Sequence, residues 1–231
     1  MNIDDRLNIS VVLMDIDGTI KDLVKENTDA LTKTLKRLDN VQDTIRGKLV
    51  LAINRVNMYL VKTGLLPTNR TMQNILLHVY AFMTFKSFKR FRLNYFKEYN
   101  REHMFFDSSK NLLKDIYGSD IRLYFVTKNN QNESVLKCDE LKKYKHELRL
   151  IVGKNGITKY SVYKDFLKKR GFKKSEVLIV GDNLFDDIIP AILLGVNAVW
   201  RDMYGCKLKR LALNVLRIFT KKVMKEESRY I

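Results

Sequence analysis

Nine residues near the start of the chain, Val11-Val12-Leu13-Met14-Asp15-Ile16-Asp17-Gly18-Thr19, restrict its fold more than any other stretch. A short uninterrupted apolar run is what a strand buried on both faces of a parallel sheet requires. This one delivers two carboxylates, Asp15 and Asp17, into a turn containing Gly18. Glycine there lets the backbone tighten and a ligand approach it closely. In open α/β sheets, ligands bind beyond the carboxyl ends of the strands, where both acids would project. Two acids held that close repel unless a cation sits between them or one keeps its proton. A bound hard metal is the usual reason to accept that cost. Asp and Gly are also ordinary turn residues, so the stretch by itself leaves open both a site and a plain acidic turn.

Apolar strand-like runs recur at residues 121–126, 148–152, 177–180 and 198–200. Helical stretches separate them. Residues 111–117 end at Gly118, residues 132–144 follow the second run, and residues 188–194 precede the last. Residues 159–170, with Val162, Phe166 and Leu167 inward, stop at Gly171, a natural helix terminator. Strands separated by helices of this length imply parallel βαβ units with right-handed crossovers. The expected class is α/β, a Rossmann-like three-layer sandwich around a central parallel sheet.

Residues 21–104 break this alternation. Leu31, Leu35, Leu38 and Ile45 fall at helical spacing, as do Leu49, Ile53, Val56 and Leu60, and then Ile75, Val79 and Phe82. Gly64 and Pro67 mark a turn between two of these helices. Further on, Phe88, Phe91, Tyr95 and Tyr99 share one helix side and Lys86, Arg90, Lys97 and Arg101 the other. The segment reads as an inserted all-helical domain, with residues 1–20 and 105–231 forming a discontinuous core. From about residue 207 to the end, Leu208, Leu211, Val215 and Phe219 line one side of an expected basic amphipathic helix. Such a helix most often packs on its own domain and keeps its charges in water.

Composition narrows the function classes. The longest apolar run, residues 188–196, is far short of the roughly 18–20 residues that cross a bilayer. No secretion signal is legible at the start. The two cysteines, Cys138 and Cys206, suit neither a disulfide framework nor metal spacing, and three scattered histidines make no zinc site. A soluble cytoplasmic protein is expected. Its net charge of +17 favours anionic partners: phosphorylated substrates, nucleic acid or an acidic membrane surface.

Polar residues then gather at strand ends. Asp15 and Asp17 follow the first strand, Thr127 the second, and Asp182 the fourth, with Asp186 and Asp187 just after; Lys159 opens the helix before it. Each has a plain reading as a cap, a turn or a surface charge. Together, acids drawn from distant parts of the chain make a cation site, and a hydroxyl with a lysine makes an anion site. A metal, a lysine and a hydroxyl facing a carboxylate nucleophile are what phosphoryl transfer uses.

The sequence here resembles the haloacid dehalogenase (HAD) superfamily over residues 9–20 and about 105–204. Asp15-Ile16-Asp17-Gly18-Thr19 is similar to its first motif, DxDGT, and Val126-Thr127 to its second. Gly181-Asp182-Asn183-Leu184-Phe185-Asp186-Asp187 is similar to the acidic fourth motif, with the register of Ala191 and Gly195 favouring Asp187 over Asp186. Lys159, twelve residues before Gly171, stands where the family's third-motif lysine would, without the proline that often follows it; Lys154 is the fallback.

The resemblance implies a Mg²⁺-dependent phosphatase. Asp15 would be the nucleophile that forms an aspartyl-phosphate, and Asp17 the general acid and then base. Mg²⁺ would be held by the Asp15 carboxylate, the Asp17 main-chain carbonyl and Asp182, with Asp187 acting through water. Thr127 and Lys159 would bind phosphoryl oxygens. The insertion would be a helical cap hinged near Lys21 and Asp22, selecting the leaving group of a small phosphorylated metabolite or nucleotide. A phosphatase for nucleic-acid ends is an alternative, suggested by the aromatics interleaved with cations at residues 85–101. Their segregation to opposite helix faces weighs against it. A HAD-like binding protein without turnover ranks last, because every acid the chemistry needs is present.

Overall fold

A computed structural model describes residues 8–64, 70–99, 104–127, 149–152, 157–207, 212 and 223–225. The chain divides into two compact units. One joins residues 1–21 to residues 105–231, and the other spans Asp22–Met104.

The first unit is built on a six-stranded parallel sheet: β1 (Val11–Met14), β2 (Arg122–Thr127), β3 (Arg149–Val152), β4 (Val177–Gly181), β5 (Asn197–Trp200) and β6 (Val223–Lys225), in the order β3-β2-β1-β4-β5-β6. Strand β1 is central, with Met14 level with Phe125 of β2 and with Val180 of β4. The order reverses direction between β1 and β4, so a crevice opens beyond their carboxyl ends.

Side chains alternate across the sheet with the period of two that a strand imposes. Val12, Met14, Leu123 and Phe125 pack with Leu113 and Ile116 of α5 (Asp107–Tyr117) in one core cluster. Tyr124 points the other way, its ring edge-on to Phe166 of the helix Lys159–Arg170 with centroids 4.8 Å apart. Helices therefore cover both faces, as strands apolar on both sides require. The helix at residues 132–144 and the fallback Lys154 lie outside the described residues.

Of the helix expected from about residue 207, residues 208–211, 213–222 and 226–231 lie outside the described residues, and one short stretch departs from expectation. Val223–Lys225, assigned to a helix from the periodicity, instead add β6 to the sheet edge, with Ala198 beside Val223 and Trp200 beside Lys225. The apolar spacing behind that helix ends at Phe219, and the open edge of β5 offers unpaired backbone groups that a short strand satisfies.

The second unit is all-helical: α1 (Leu23–Arg37), α2 (Ile45–Lys62), α3 (Arg70–Met83) and α4 (Phe88–Tyr99). Asp22 starts α1 by accepting a hydrogen bond from the Lys25 N–H at 3.0 Å. Leu31, Leu35 and Leu38 are buried, as are Phe91, Tyr95 and Tyr99 of α4. The Tyr95 hydroxyl donates to Asn27 of α1, and Arg37 pairs with the buried Glu98 at 2.7 Å. The α4 aromatics thus form core, and Arg90 and Lys97 lie outside.

The residues whose spacing marks α2 and α3 as helices lie largely outside the core. Leu49, Val56 and Leu60 of α2 are exposed, as are Ile45 before them and Ile75, Val79 and Phe82 of α3. The buried residues are Gly47, Val50, Asn54, Met58 and Val61 on α2, and Leu77, Tyr80 and Ala81 on α3. Both helices are apolar on two sides, and spacing alone does not say which one packs. Close approach decides it for α2: a Cβ on Gly47 would lie 2.0 Å from the Val41 carbonyl oxygen.

Gly47→Ala should therefore destabilise this unit by about 1–3 kcal/mol through overpacking, where an unobstructed change of this kind in a helix would stabilise by about 1 kcal/mol. Urea unfolding followed by far-UV circular dichroism measures the sign.

Candidate functional site

The site lies in the first unit, at the carboxyl ends of β1 and β4. The Asp15 N–H still donates to Val180 O at 2.9 Å, so Asp15 continues the sheet as its side chain enters the crevice. The chain then folds tightly: Ile16 O accepts from Ile20 N and Lys21 N at 3.0 Å each, and Gly18 N donates to Lys21 O at 3.0 Å. Gly18 has a left-handed φ of 79°. A Cβ there would stand 2.2 Å from an Asp182 carboxylate oxygen, so both its conformation and its bareness bring Asp182 against the turn.

Beyond β4 the backbone winds one π-helical turn, Leu184–Ile188. The Asn183 side chain starts it, accepting from Phe185 N and Asp186 N at 3.0 Å each. Both Asp187 N and Ile188 N donate to Asn183 O, so the turn carries one more residue than an α-helical one. It carries Asp187 back towards the strand, fully buried against Gly181, where a Cβ would meet the Asp187 carboxyl carbon at 2.3 Å.

Lys159 opens the helix that we label α6 (Lys159–Arg170), after Thr158, whose hydroxyl accepts from Ser161 N. A cation is disfavoured at a helix N-terminus, and two carboxylates compensate. Its ammonium lies 2.6 Å from Asp15 Oδ1 and 2.7 Å from Asp187 Oδ1. One turn on, the Tyr163 hydroxyl donates to the same Asp187 oxygen at 2.8 Å, while Asn183 N donates to Oδ2 at 3.3 Å.

Burial first, then the neighbouring Asp187 and Asp182, push the Asp15 carboxyl well above the usual carboxylate range, against the attraction of Lys159. Burial alone would lower Lys159, but Asp15 and Asp187 outweigh it and hold the ammonium well above its ordinary value. Tyr163 is pushed up by burial and by Asp187.

Asp15, Asp182 and Asp187 offer oxygens that all lie within 4.8 Å of one another. Three buried carboxylates facing one ammonium leave unbalanced negative charge, and an all-oxygen donor set suits a hard divalent cation. All three are also engaged by protein groups: Asp187 by Lys159, Tyr163 and Asn183 N, Asp15 by Lys159, and Asp182 by the Thr19 hydroxyl. Asp186 is only half-buried and lies outside this trio. Thr127, buried, ends β2 beside β1, two residues beyond the level where Phe125 meets Met14. Asp17 is partly exposed, with Lys21 Nζ 3.3 Å from its Oδ1.

Several supporting residues escape the sequence reading. The Thr19 hydroxyl donates to Asp182 Oδ1 at 3.3 Å, and its carbonyl accepts from the buried Arg201 guanidinium at 2.8 Å and from Ser109 Oγ. Trp200 Nε1 donates to Asp182 O at 2.8 Å. Tyr163 was detectable only through its place one turn after Lys159; Val162, expected inward, is half-exposed.

The family model described as haloacid dehalogenase-like hydrolase matches residues 12–200. A search of curated protein sequences gave no significant match. Among solved structures, the chain is similar to YfnB of Bacillus subtilis, provisionally classed as a HAD-hydrolase and bound to magnesium, at 19% identity and TM-score 0.61, covering 86% of this chain and 91% of that one. It is also similar to the haloacid dehalogenase-like family protein SP0104 of Streptococcus pneumoniae, at 18% identity and TM-score 0.58, over 92% and 99% of the two chains. A predicted phosphoglycolate phosphatase from Haemophilus somnus aligns at 17% identity and TM-score 0.60, over 84% and 85%.

Gly181→Ala should cost about 1–3 kcal/mol, since the added methyl must displace a buried carboxylate that holds Lys159. Urea unfolding followed by the fluorescence of Trp200, the single tryptophan, reads this unit directly.

Proposed function

Because this chain belongs to the haloacid dehalogenase-like hydrolase family, we propose that this hydrolase is a Mg²⁺-dependent phosphatase of small phosphorylated metabolites or nucleotides, acting through an aspartyl-phosphate on Asp15. The observation that carries the reading is the buried Asp15 carboxylate set against Lys159 and beside Asp182 and Asp187. The magnesium bound to YfnB and the predicted phosphatase from Haemophilus somnus point the same way.

In this reading a carboxylate oxygen of Asp15 attacks phosphorus in line, and the bond from phosphorus to the leaving oxygen breaks. Asp17 donates a proton to that oxygen, then takes one from the water that cleaves the aspartyl-phosphate and regenerates Asp15. Lys21 orients the Asp17 carboxylate. Lys159 and Thr127 hold phosphoryl oxygens, and Lys159 offsets the negative charge that attack concentrates there. Asp187 serves chiefly to hold Lys159, with Tyr163 fixing Asp187 in turn. A divalent ion held by Asp15 and Asp182 would supply the charge that neutralises their repulsion and draws phosphoryl oxygens in.

The helical unit takes the part of the cap, choosing the leaving group, with its boundary at Lys21 and Asp22. Small substrates are favoured over nucleic-acid ends, because Phe91, Tyr95 and Tyr99 of the stretch that would stack on bases are buried, leaving Phe85 exposed.

Hydrolysis of p-nitrophenyl phosphate with Mg²⁺ tests this directly, and EDTA should abolish it. Asp15→Asn should lose at least about a thousandfold in kcat. Asp17→Asn should lose about 10²–10⁴-fold yet bind metal as the parent does, whereas Asp182→Asn should weaken metal binding by calorimetry. Near-normal rates in both of the latter variants would show the roles to be wrongly assigned. A panel of phosphorylated metabolites and nucleotides then identifies the substrate.

A further inference from the structure

The helical unit presents apolar faces that its own core does not use. On α2, Ile45, Leu49, Val56 and Tyr59 are exposed, Ile45 by 86% and Val56 by 63%. Their spacing sets them along one side of the helix. On α3, Ile75, Val79 and Phe82 repeat the arrangement, Phe82 being 78% exposed. Single exposed apolar side chains are ordinary, whereas stripes of them mark interaction sites. The opposite sides of both helices are already core, so no rotation of either one would hide these residues.

The charge carried by α2 and α3 has one sign. Helix α2 contains Arg46, Lys48, Arg55 and Lys62 and no acid, and α3 contains Arg70 and no acid. In α4 the cations Lys89, Arg90, Arg92 and Lys97 accompany a single acid, Glu98, which is buried against Arg37. Arg46, Lys48 and Arg55 are exposed beside the α2 stripe.

Aliphatic side chains flanked by cations complement a surface that is negative outside and apolar just beneath. A second copy of the chain would set these cations against their equivalents, with no acid on α2 or α3 to answer them. Nucleic acid would answer the cations and offer bases to Tyr59 and Phe82, but it gives Ile45, Leu49, Val56, Ile75 and Val79, the greater part of the stripes, nothing to enter. We propose that the exposed α2 stripe, with that of α3 as a second contact, docks the protein peripherally on an anionic lipid surface.

Co-sedimentation with phosphatidylcholine vesicles, with and without phosphatidylserine, at about 150 mM salt tests this without reference to turnover, so its outcome is separate from that of the phosphatase reading. Binding should require phosphatidylserine. It should fall more than about tenfold in the triple variant Ile45→Ser, Leu49→Ser, Val56→Ser, and again in Arg46→Glu, Lys48→Glu, Arg55→Glu, each cation near an anionic surface being worth a factor of about five. Both variants alter exposed positions and should keep the parent's circular dichroism spectrum and phosphomonoester turnover. The proposal is overturned if the serine variant binds as the parent does, which would mark plain adsorption of a basic protein. It is equally overturned if vesicles are not bound at this salt, if single-stranded DNA competes the protein off through the same residues, or if the stripe mediates a dimer by light scattering.

Discussion

The contact on which the first unit depends is the Lys159 ammonium held between Asp15 and Asp187, at 2.6 and 2.7 Å. Removing one partner from a buried ion pair typically costs about 3–5 kcal/mol, because the remaining charge is left out of water and uncompensated. Here one ammonium serves two carboxylates, and a third, Asp182, lies within reach of the same space. Such a cluster is poor value as a stabiliser, since apolar side chains could fill the volume at lower cost. Its cost is intelligible as preorganisation: charges held in place before a reactant arrives need not be gathered during the reaction.

Holding them takes backbone as well as charge. Gly18 and Gly181 are bare where Asp182 and Asp187 press closest, and neither contact leaves room for a methyl group. The strand ends are tied laterally. Arg201, at the end of β5, grips the carbonyl of Thr19 beside β1, and its own N–H bonds Gly181 O of β4. Trp200 holds the carbonyl of Asp182. The β5 end thus secures both acidic loops, although it offers no reacting group itself. Displacement of Trp200 would reach Asp182 through one hydrogen bond to its backbone, and displacement of Arg201 would reach the Asp182 carboxylate through Thr19.

What was legible in the amino-acid order follows from how strongly each feature is forced. Strands buried on both faces must be apolar throughout, so β1, β2 and β4 stood out, and the acids at their ends could be placed by topology alone. Lys159 was legible because Gly171 marks the stop of its helix. The register of Ala191 and Gly195 already favours Asp187 over Asp186, whereas the π turn that carries Asp187 towards Asp15 and Asp182 leaves no compositional trace. Tyr163 looks like any helical tyrosine until its hydroxyl is seen on Asp187. The strand at Val223–Lys225 is too short to show a period, and a sheet edge, not local propensity, recruits it. The packing faces of α2 and α3 were not legible, because apolar residues occupy both sides of each. Only packing, with Gly47 against the Val41 carbonyl, separates them.

The same chain sets opposing fields at two length scales. Its net charge of +17 attracts phosphorylated molecules from a distance, yet the crevice between β1 and β4 holds more carboxylates than ammonium groups. An anion drawn in by the first field would be refused by the second unless the carboxylates were neutralised. Protonation is one remedy, and burial already pushes Asp15 that way, but a protonated Asp15 is a poor nucleophile. A divalent cation is the remedy that keeps Asp15 ionised and reverses the local sign. In the proposed reaction, a divalent cation beside Asp15 and Asp182 would therefore serve the approach of the substrate as well as the attack on it. On that reading the cation would bind before or together with the substrate, since the anion alone meets a crevice rich in carboxylates.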